Sequence, residues 1–186
     1  SRKVAAASLE KAVTEELRHL ALKDASFIVA LEETAPSQSG FETVSMRLRP
    51  HKGAPPVSLG SGVSGGELSR IMLALELVQN EDVSDQTMVF DEVDAGIGGK
   101  TANFLASRLK LLSQRSQVIV VTHLPQVAAL ADRNFVITKK DGIAEVSHVC
   151  GEQQVSELVR MLGGDVTDEA TRHVARAMRE PQIVAD

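Results

Sequence analysis

Two short apolar runs set the tightest limit on how this chain folds. Thr87–Phe90 and Val118–Val121 are continuous apolar segments of the kind found in strands that are buried on both faces of a sheet. The roughly 26 residues between them suffice for a crossover helix, so the pattern predicts two parallel neighbouring strands. From Ser64 onward helical and apolar-strand patterns alternate, which predicts an α/β arrangement.

The start of the chain has a different pattern. Leu9, Val13, Leu17 and Leu20 recur at helical spacing and predict a helix over residues 2 to about 23, either the end of a longer helix or an ordinary surface helix. Ser26–Glu33 and Phe41–Arg49 then alternate apolar and polar residues, and residues 36–40 lie in the connection between them. This alternation predicts an antiparallel pair with one solvent-exposed face.

The later part of the chain is predicted to contain a helix, a hairpin and two final helices. A helical stripe follows Ser64 and consists of Leu68, Ile71, Met72, Leu75 and Val78. Phe135–Thr138 and Ala144–Ser147 flank Lys140-Asp141-Gly142, which indicates a hairpin. The two final helices are expected near residues 152–162 and 167–179.

Composition narrows the class of protein more than the function. A chain of 186 residues that is 43% hydrophobic is large enough for one core-bearing domain. Its single cysteine, Cys150, excludes an internal disulfide and suits a reducing cytoplasm. No apolar run reaches the roughly 20 residues of a membrane span. With a net charge of −5 and 3% aromatic residues, composition gives no support for a nucleic-acid binder.

Three polar residues follow the two predicted strands. Asp91 and Glu92 come directly after the first strand, and His123 follows the second. The carboxyl ends of parallel strands share one sheet edge, so the three side chains are expected to converge on one small ligand. Their chemistry fits phosphoryl transfer to water: one carboxylate orients Mg²⁺, the second accepts a proton, and the imidazole donates to a phosphate. The plainer alternative is a helix-capping Asp-Glu pair and a solvated turn histidine.

A glycine pair opens the predicted helix after residue 63. Ser64, Gly65, Gly66 and Glu67 have the form of a capping box, which by itself would only start a helix. However, two glycines in the first turn cost roughly 1 kcal/mol each relative to alanine. Glycines allow another surface to approach the backbone N–H groups at the positive end of the helix dipole. The motif therefore predicts an anion site, with the Ser64 hydroxyl as a further donor and a phosphate as the expected anion.

Gly99-Lys100-Thr101 resembles the end of a phosphate-binding P-loop, but the rest of that motif is missing. A P-loop needs a first glycine five residues before Gly99, and Asp94 stands there with a charge of the wrong sign for a triphosphate. No other Gly-Lys-Ser/Thr sequence occurs in the chain. We therefore interpret residues 99–101 as the start of a helix.

Together these motifs carry a family resemblance. Ser64–Glu67 resembles the ABC-type signature, Thr87–Glu92 resembles Walker B, Val93–Ala95 resembles the D-loop, and His123 resembles the switch histidine. The longer strings SGGELSRIMLALELV, VFDEVDAGIGGKTA, VTHLPQVAALAD and RMLGGDVT resemble the RecN family of bacterial DNA repair proteins, relatives of the SMC proteins. The resemblance extends through nearly the whole chain.

The resemblance implies an architecture. Residues 1–23 would be the end of a coiled-coil arm, and residues 24–186 the C-terminal lobe of an ABC-type P-loop ATPase head with a mainly parallel sheet flanked by helices. The N-terminal lobe with Walker A, including its Mg²⁺-binding Ser/Thr, would lie upstream. The chain alone would then be inactive. The family relation also implies recombinational repair of DNA double-strand breaks in the bacterial cytoplasm, at the nucleoid and without a membrane partner.

The resemblance also implies roles for individual residues. Two ATP molecules would lie between two heads of a homodimer. Glu92 would be the general base, Asp91 would bind Mg²⁺, and His123 would contact the γ-phosphate. The signature residues would bind ATP held by the partner head, namely Ser64, Gly65, Gly66 and Glu67. Asp94 would lie at the dimer seam.

Two other functions remain compatible with the sequence. One is a transporter-type ABC ATPase domain, and the other is an ATP-dependent clamp that tethers DNA and hydrolyses ATP only incidentally. DNA would be bound by the full protein. A small basic cluster, Arg47, Arg49 and Lys52, is interpreted as a solvated strand edge.

Overall fold

The computed structural model describes residues 2–38, 40–79 and 86–180, and the fold below refers to these residues. The described residues form two compact units, one within residues 1–97 and 112–121 and the other within residues 98–111 and 122–186. The helices are α1 Arg2–His19, α2 Gly65–Val78, α3 Gly99–Leu112, α4 Pro125–Leu130, α5 Glu152–Met161 and α6 Glu169–Ala177. The strands are β1 Ser26–Ser37, β2 Gly40–Arg49, β3 Val57–Ser58, β4 Thr87–Phe90, β5 Gln117–Val120, β6 Asn134–Lys140 and β7 Ile143–Val149.

The first unit opens with a helix that packs against an antiparallel sheet of three strands in the order β1-β2-β3. The helix buries Val13 and Leu17, and the sheet buries the opposed pair Phe27 and Leu48. The helix also satisfies backbone groups of β1, because Glu10 accepts a hydrogen bond from the Val29 N–H at 2.8 Å. The predicted helix and antiparallel pair are confirmed, although the helix ends at His19 and not near residue 23. β1 runs further than expected, into the predicted connection as far as Ser37.

The second part of the first unit is a parallel strand pair. β4 and β5 pair in parallel, as the two apolar runs predict, and Phe90 lies opposite Val120. The prediction that both faces are buried was wrong. Phe90 is buried on one face, whereas Val89, Ile119 and Val121 on the other face are 65%, 47% and 58% exposed. Apolar composition alone does not reveal which segment covers a face.

The helix α2 precedes this strand pair. It buries Ile71, Leu73, Ala74 and Leu75, whereas Leu68 and Met72 of the predicted stripe are 36% and 43% exposed. The buried face is therefore rotated relative to the prediction. At the carboxyl end of α2, the carbonyls of Gln79 and Glu76 accept hydrogen bonds from Arg115. These bonds join the helix to the turn before β5.

The second unit contains α3, α4, the hairpin and the two final helices. The hairpin closes with Asp141 and Gly142, whose φ angles of 51° and 82° match the type I′ turn that joins tightly paired strands. α5 and α6 pack through an apolar cluster of Val155, Leu158, Val159 and Ala175 together with Ala128 and Ala129 of α4. The hairpin and the two final helices are confirmed, while the short helix α4 was not predicted.

The predicted α/β class is confirmed, but the description of the sheet needs correction. Parallel pairing in the described residues is limited to β4 and β5, and the other strand pairs are antiparallel. Short connections force this arrangement, because a parallel crossover needs a dozen or more residues. None of the described helices is both long and apolar enough to span a membrane.

Candidate nucleotide-binding site

The side chains of the two acidic residues that follow β4 are both exposed, and each is positioned by a different local feature. Asp91 accepts a hydrogen bond from the Glu92 N–H at 2.9 Å through Oδ1. Glu92 has a φ of 55°, a left-handed conformation that a non-glycine residue rarely adopts. Strained backbone of this kind persists only where its surroundings fix it, and it concentrates at functional sites. The strand end therefore presents a carboxylate whose direction is set by the loop.

The start of α2 confirms the capping box and changes the role of the serine hydroxyl. Ser64 Oγ accepts from the Glu67 N–H at 3.3 Å, and both the N–H and the hydroxyl of Ser64 donate to Glu67 Oε2, at 2.8 and 2.9 Å. The hydroxyl that was expected to donate to an anion thus donates to Glu67 in this structure. A phosphate would have to replace Glu67 as the acceptor of the hydrogen bond from the Ser64 hydroxyl.

The two glycines of this turn lie directly against the loop that follows β4. A Cβ atom on Gly65 would lie 2.7 Å from Glu92 Oε2. A Cβ atom on Gly66 would lie 2.9 Å from the Ala95 Cβ and 3.0 Å from the Glu92 carbonyl oxygen. Sequence reasoning assigned the glycines to the approach of an outside ligand. The structure adds a reason within the chain, because a Cβ on Gly65 would collide with the Glu92 carboxylate and one on Gly66 would collide with the backbone of the loop.

Two residues of α2 that sequence reasoning missed hold the same loop. Ser69 Oγ donates to the Asp91 carbonyl at 2.7 Å. Arg70, which is buried, donates to the carbonyls of Val93 and Ala95 at 3.3 and 2.9 Å. The only sequence signal for Arg70 was a charged residue beside the apolar positions of the helix. Its burial became visible only with the fold.

Asp94 lies in this loop with only 3% of its surface exposed. Ala95 and Gly96, which follow Asp94, are exposed, as is Glu92 at the start of the loop. Contact with a second head at Asp94 remains a prediction, and in this conformation Ala95 and Gly96 present the loop's surface.

His123 belongs to the second unit and is exposed. It follows Thr122, whose Oγ1 accepts a hydrogen bond from the Leu124 N–H at 3.0 Å just before α4 begins. The predicted convergence of His123 with Asp91 and Glu92 therefore remains a prediction. By contrast, Gly99-Lys100-Thr101 forms the first turn of α3, which confirms the interpretation of these residues as a helix start.

The residues present fit a magnesium nucleotide better than a metal bound by protein alone. Among the described residues, no group of three or more His, Cys, Asp or Glu side chains is arranged to hold a metal ion. Magnesium usually keeps several waters and is bound through one or two carboxylates plus substrate phosphates. The exposed Asp91 carboxylate meets that requirement as a single protein ligand.

Comparison with known proteins relates the chain to one family. No protein-family model matches it. It is 43% identical over 197 residues to DNA repair protein RecN of Streptomyces coelicolor, which covers 97% of this chain. It is 40% identical over 200 residues to DNA repair protein RecN of Mycobacterium leprae, which covers 95% of this chain. The chain spans 34% of the length of each of these relatives.

Solved structures agree with this relationship at the level of the fold. The Smc head domain of Pyrococcus yayanosii, with a coiled coil and joint, matches 86% of this chain and 29% of its own, with a TM-score of 0.59 and 23% identity. A structure from work on ATP-driven dimerization and DNA-stimulated activation of SMC ATPases matches 87% of this chain and 94% of its own, with a TM-score of 0.52 and 22% identity. The chain belongs to the RecN family, and its fold is that of an SMC-type ATPase head.

Proposed function

We propose that this chain is the signature-bearing lobe of a RecN-like ATPase head, which hydrolyses ATP between two heads during recombinational repair of DNA double-strand breaks. The observation that carries the proposal is the contact between Gly65 and Glu92. It joins an exposed carboxylate at the end of a parallel strand to a glycine turn at a helix N-terminus. Both are groups that phosphoryl transfer requires.

In this proposal each polar residue has one task. Asp91 holds the magnesium ion, which when bound neutralises charge on the phosphates. Glu92 accepts the proton of the attacking water, and His123 donates to the terminal phosphate. The partner-facing turn, Ser64 to Glu67, binds the nucleotide of the opposite head through its N–H groups and the Ser64 hydroxyl.

The exposed face of the parallel strand pair is an argument that a further lobe of the full protein covers it. Val89, Ile119 and Val121 lie on one face and are largely exposed, although strands of this type are normally covered on both faces. The relatives are about three times as long as this chain, which spans 34% of them. We assign the face to the N-terminal Walker A lobe, which would provide the phosphate-binding lysine. Residues 1–23 then form the end of the coiled-coil arm and 24–186 the head lobe.

This assignment makes the chain by itself inactive as an ATPase. We propose that the protein is localised in the bacterial cytoplasm, at the nucleoid. DNA would be bound by the full protein. Similarity to RecN along nearly the whole chain favours this function over a transporter-type ATPase.

The test is Glu92→Gln in the full-length protein. ATP should still bind, hydrolysis should fall by about 10²-fold or more because a positioned base is lost, and ATP-bound dimers should persist. Cells that carry the variant should also survive double-strand breaks poorly. Hydrolysis within threefold of the wild type would refute the proposal. DNA-dependence of turnover separates a repair ATPase, which DNA should stimulate, from a tethering clamp with incidental hydrolysis.

A further inference from the structure

Arg70 is a buried cation in α2 with no acidic group in direct contact in the described residues. It is 6% exposed, and its guanidinium donates to the carbonyl oxygens of Val93 and Ala95. Burial lowers the pKa of Arg70, and the nearby charges of Glu67 and Asp94 act in the opposite direction. An arginine remains protonated in proteins, so a full charge is held here against two neutral carbonyls.

The buried Arg70 guanidinium lowers the stability of the folded chain, so stability alone does not explain its presence. Arg70 Nε is buried and has no hydrogen-bond partner among the described residues. A buried donor without a partner destabilises the folded state, and even buried ion pairs are often replaced by well-packed apolar side chains without loss of stability. A well-packed apolar side chain would therefore serve the core of α2 at least as well. The charge is better explained by what it holds.

The two carbonyls belong to the loop that begins at Glu92. Val93 follows Glu92 directly, and Ala95 closes the same turn, since its N–H donates to the Glu92 carbonyl at 2.9 Å. The Asp91 carbonyl is held by Ser69. Hydrogen bonds from α2 thus fix the loop on both sides of Glu92, whose left-handed backbone needs such support.

The glycine turn completes the arrangement. A Cβ on Gly66 would lie 3.1 Å from Arg70 Nη1, as well as against the loop itself. The guanidinium, the glycine turn and the loop therefore pack together without an intervening side chain. A shift of the guanidinium would move the loop and the direction of Glu92 with it.

We propose that Arg70 is a positioning residue for ATP hydrolysis, which acts through the carbonyls of Val93 and Ala95 to hold Glu92 in place. The inference rests on the proposed function, in which Glu92 is the general base. Because α2 begins with the turn that faces the nucleotide of the opposite head, Arg70 also connects that turn to the chain's own base. A displacement of about 1 Å in a catalytic group can cost about 10²-fold in rate.

The experiment compares Arg70→Gln and Arg70→Lys in the full-length protein. Arg115→Gln is the matched control, since Arg115 also donates to two backbone carbonyls, those of Gln79 and Glu76 at the other end of α2. For each variant, thermal stability, equilibrium ATP binding and kcat are measured. Arg70→Gln should lower kcat about tenfold or more and change the Kd for ATP less than about threefold. Arg70→Lys, which keeps the charge and one donor direction, should recover part of the rate.

Two results would overturn the inference. One is a fall in kcat no larger than that of Arg115→Gln at matched loss of stability. The other is a loss of ATP binding as large as the loss of kcat, which would mark a purely structural role. Glu92→Gln measured in parallel keeps the two proposals apart. If that variant hydrolyses ATP normally, the proposed function fails, whereas a dead Glu92→Gln beside fully active Arg70 variants refutes the positioning role alone.

Discussion

Gly65 and Glu92 lie so close that a single added carbon would collide with the carboxylate. A Cβ on Gly65 would be 2.7 Å from Glu92 Oε2 and 3.9 Å from the carboxyl carbon, and these are the atoms it would approach most closely. The glycine turn that we propose faces the opposite head and the proposed base of this head thus touch within one chain. A substitution at Gly65 is therefore expected to change the position of the Glu92 carboxylate.

Gly65→Ala should reduce hydrolysis while leaving the fold intact. The collision involves only the far end of the Glu92 side chain, so the carboxylate can turn aside without a backbone shift. Alanine is also the better helix former at this first position of α2. We expect kcat of the full-length protein to fall about tenfold or more, with thermal stability equal to the wild type or higher.

Two other glycines serve as controls for that prediction. Gly98 has no atom within 4 Å of an added Cβ, so Gly98→Ala should keep kcat within about twofold. Gly66→Ala should instead lower stability, because its Cβ meets the Glu92 backbone carbonyl at 3.0 Å. Equal activity of the Gly65→Ala and Gly98→Ala proteins would show that the contact does not matter for hydrolysis.

Ser64 should separate helix capping from phosphate binding. Ser64→Ala removes the cap and is expected to cost about 1 kcal/mol of stability. Ser64→Asp keeps a capping oxygen but places a negative charge beside the Glu67 carboxylate and at the proposed position of the phosphate, so it should abolish ATP-dependent dimerisation. Ser64→Thr keeps the hydroxyl and should dimerise. Light scattering in the presence of ATP measures dimerisation of the three variants. A stable dimer of the Ser64→Asp protein would contradict the proposal that Ser64 binds the nucleotide of the opposite head.

Local sequence patterns were sufficient for the elements that form the site and insufficient for the contacts between them. The parallel pairing of β4 and β5 follows from two apolar runs and a long connection, and the capping box follows from Ser64 and Glu67. The role of Arg70 could not be predicted, because a charged residue in an amphipathic helix is usually solvated. Likewise, no local pattern specifies that Gly65 lies against Glu92, 27 positions later, since tertiary packing alone brings them together.

Lys100→Ala tests whether the sequence at the start of α3 binds phosphate. Lys100 is exposed in the first helical turn. If it held the β- and γ-phosphates, its loss would remove a charge-assisted contact of about 1.5–3 kcal/mol and weaken ATP binding by tenfold to a hundredfold. We expect less than about a threefold change, as for an ordinary surface charge. The change is measured as the Kd for ATP of the monomeric two-lobe head, with Lys100→Ala beside the wild type. A tenfold loss of affinity would restore the P-loop interpretation.

The ion pairs between α5 and α6 should make the second unit sensitive to acid. A hydrogen bond from Arg176 at 3.0 Å, together with the charges of Arg176 and Arg172, lowers the pKa of Glu152 below its ordinary value. A lowered pKa stabilises the folded state above the ordinary glutamate pKa of about 4.3, and the contribution disappears as the pH falls through the folded-state pKa.

The melting temperature of this chain should therefore exceed that of its Glu152→Gln variant at pH 6, and the difference should shrink toward pH 3. Glu33→Gln is the control, because Glu33 is an exposed carboxylate on β1 without an ion pair in the described part of the chain. Circular dichroism at a series of pH values measures both differences. A Glu152→Gln difference that stays constant with pH would mean that the ion pairs contribute nothing.

Ile119→Lys tests the proposed contact with the Walker A lobe. Ile119 is 47% exposed on the open face of β5, opposite Val89, so a lysine there should leave the fold of this chain nearly unchanged. If the N-terminal lobe covers this face, the same lysine buries an unpaired charge on association, at a cost of several kcal/mol. Co-purification of the two lobes should then fail. Leu111→Lys, a matched change at a 48% exposed leucine of α3, should still co-purify. Recovery of both lobes with Ile119→Lys in wild-type amounts would contradict the proposal that the N-terminal lobe covers the open face.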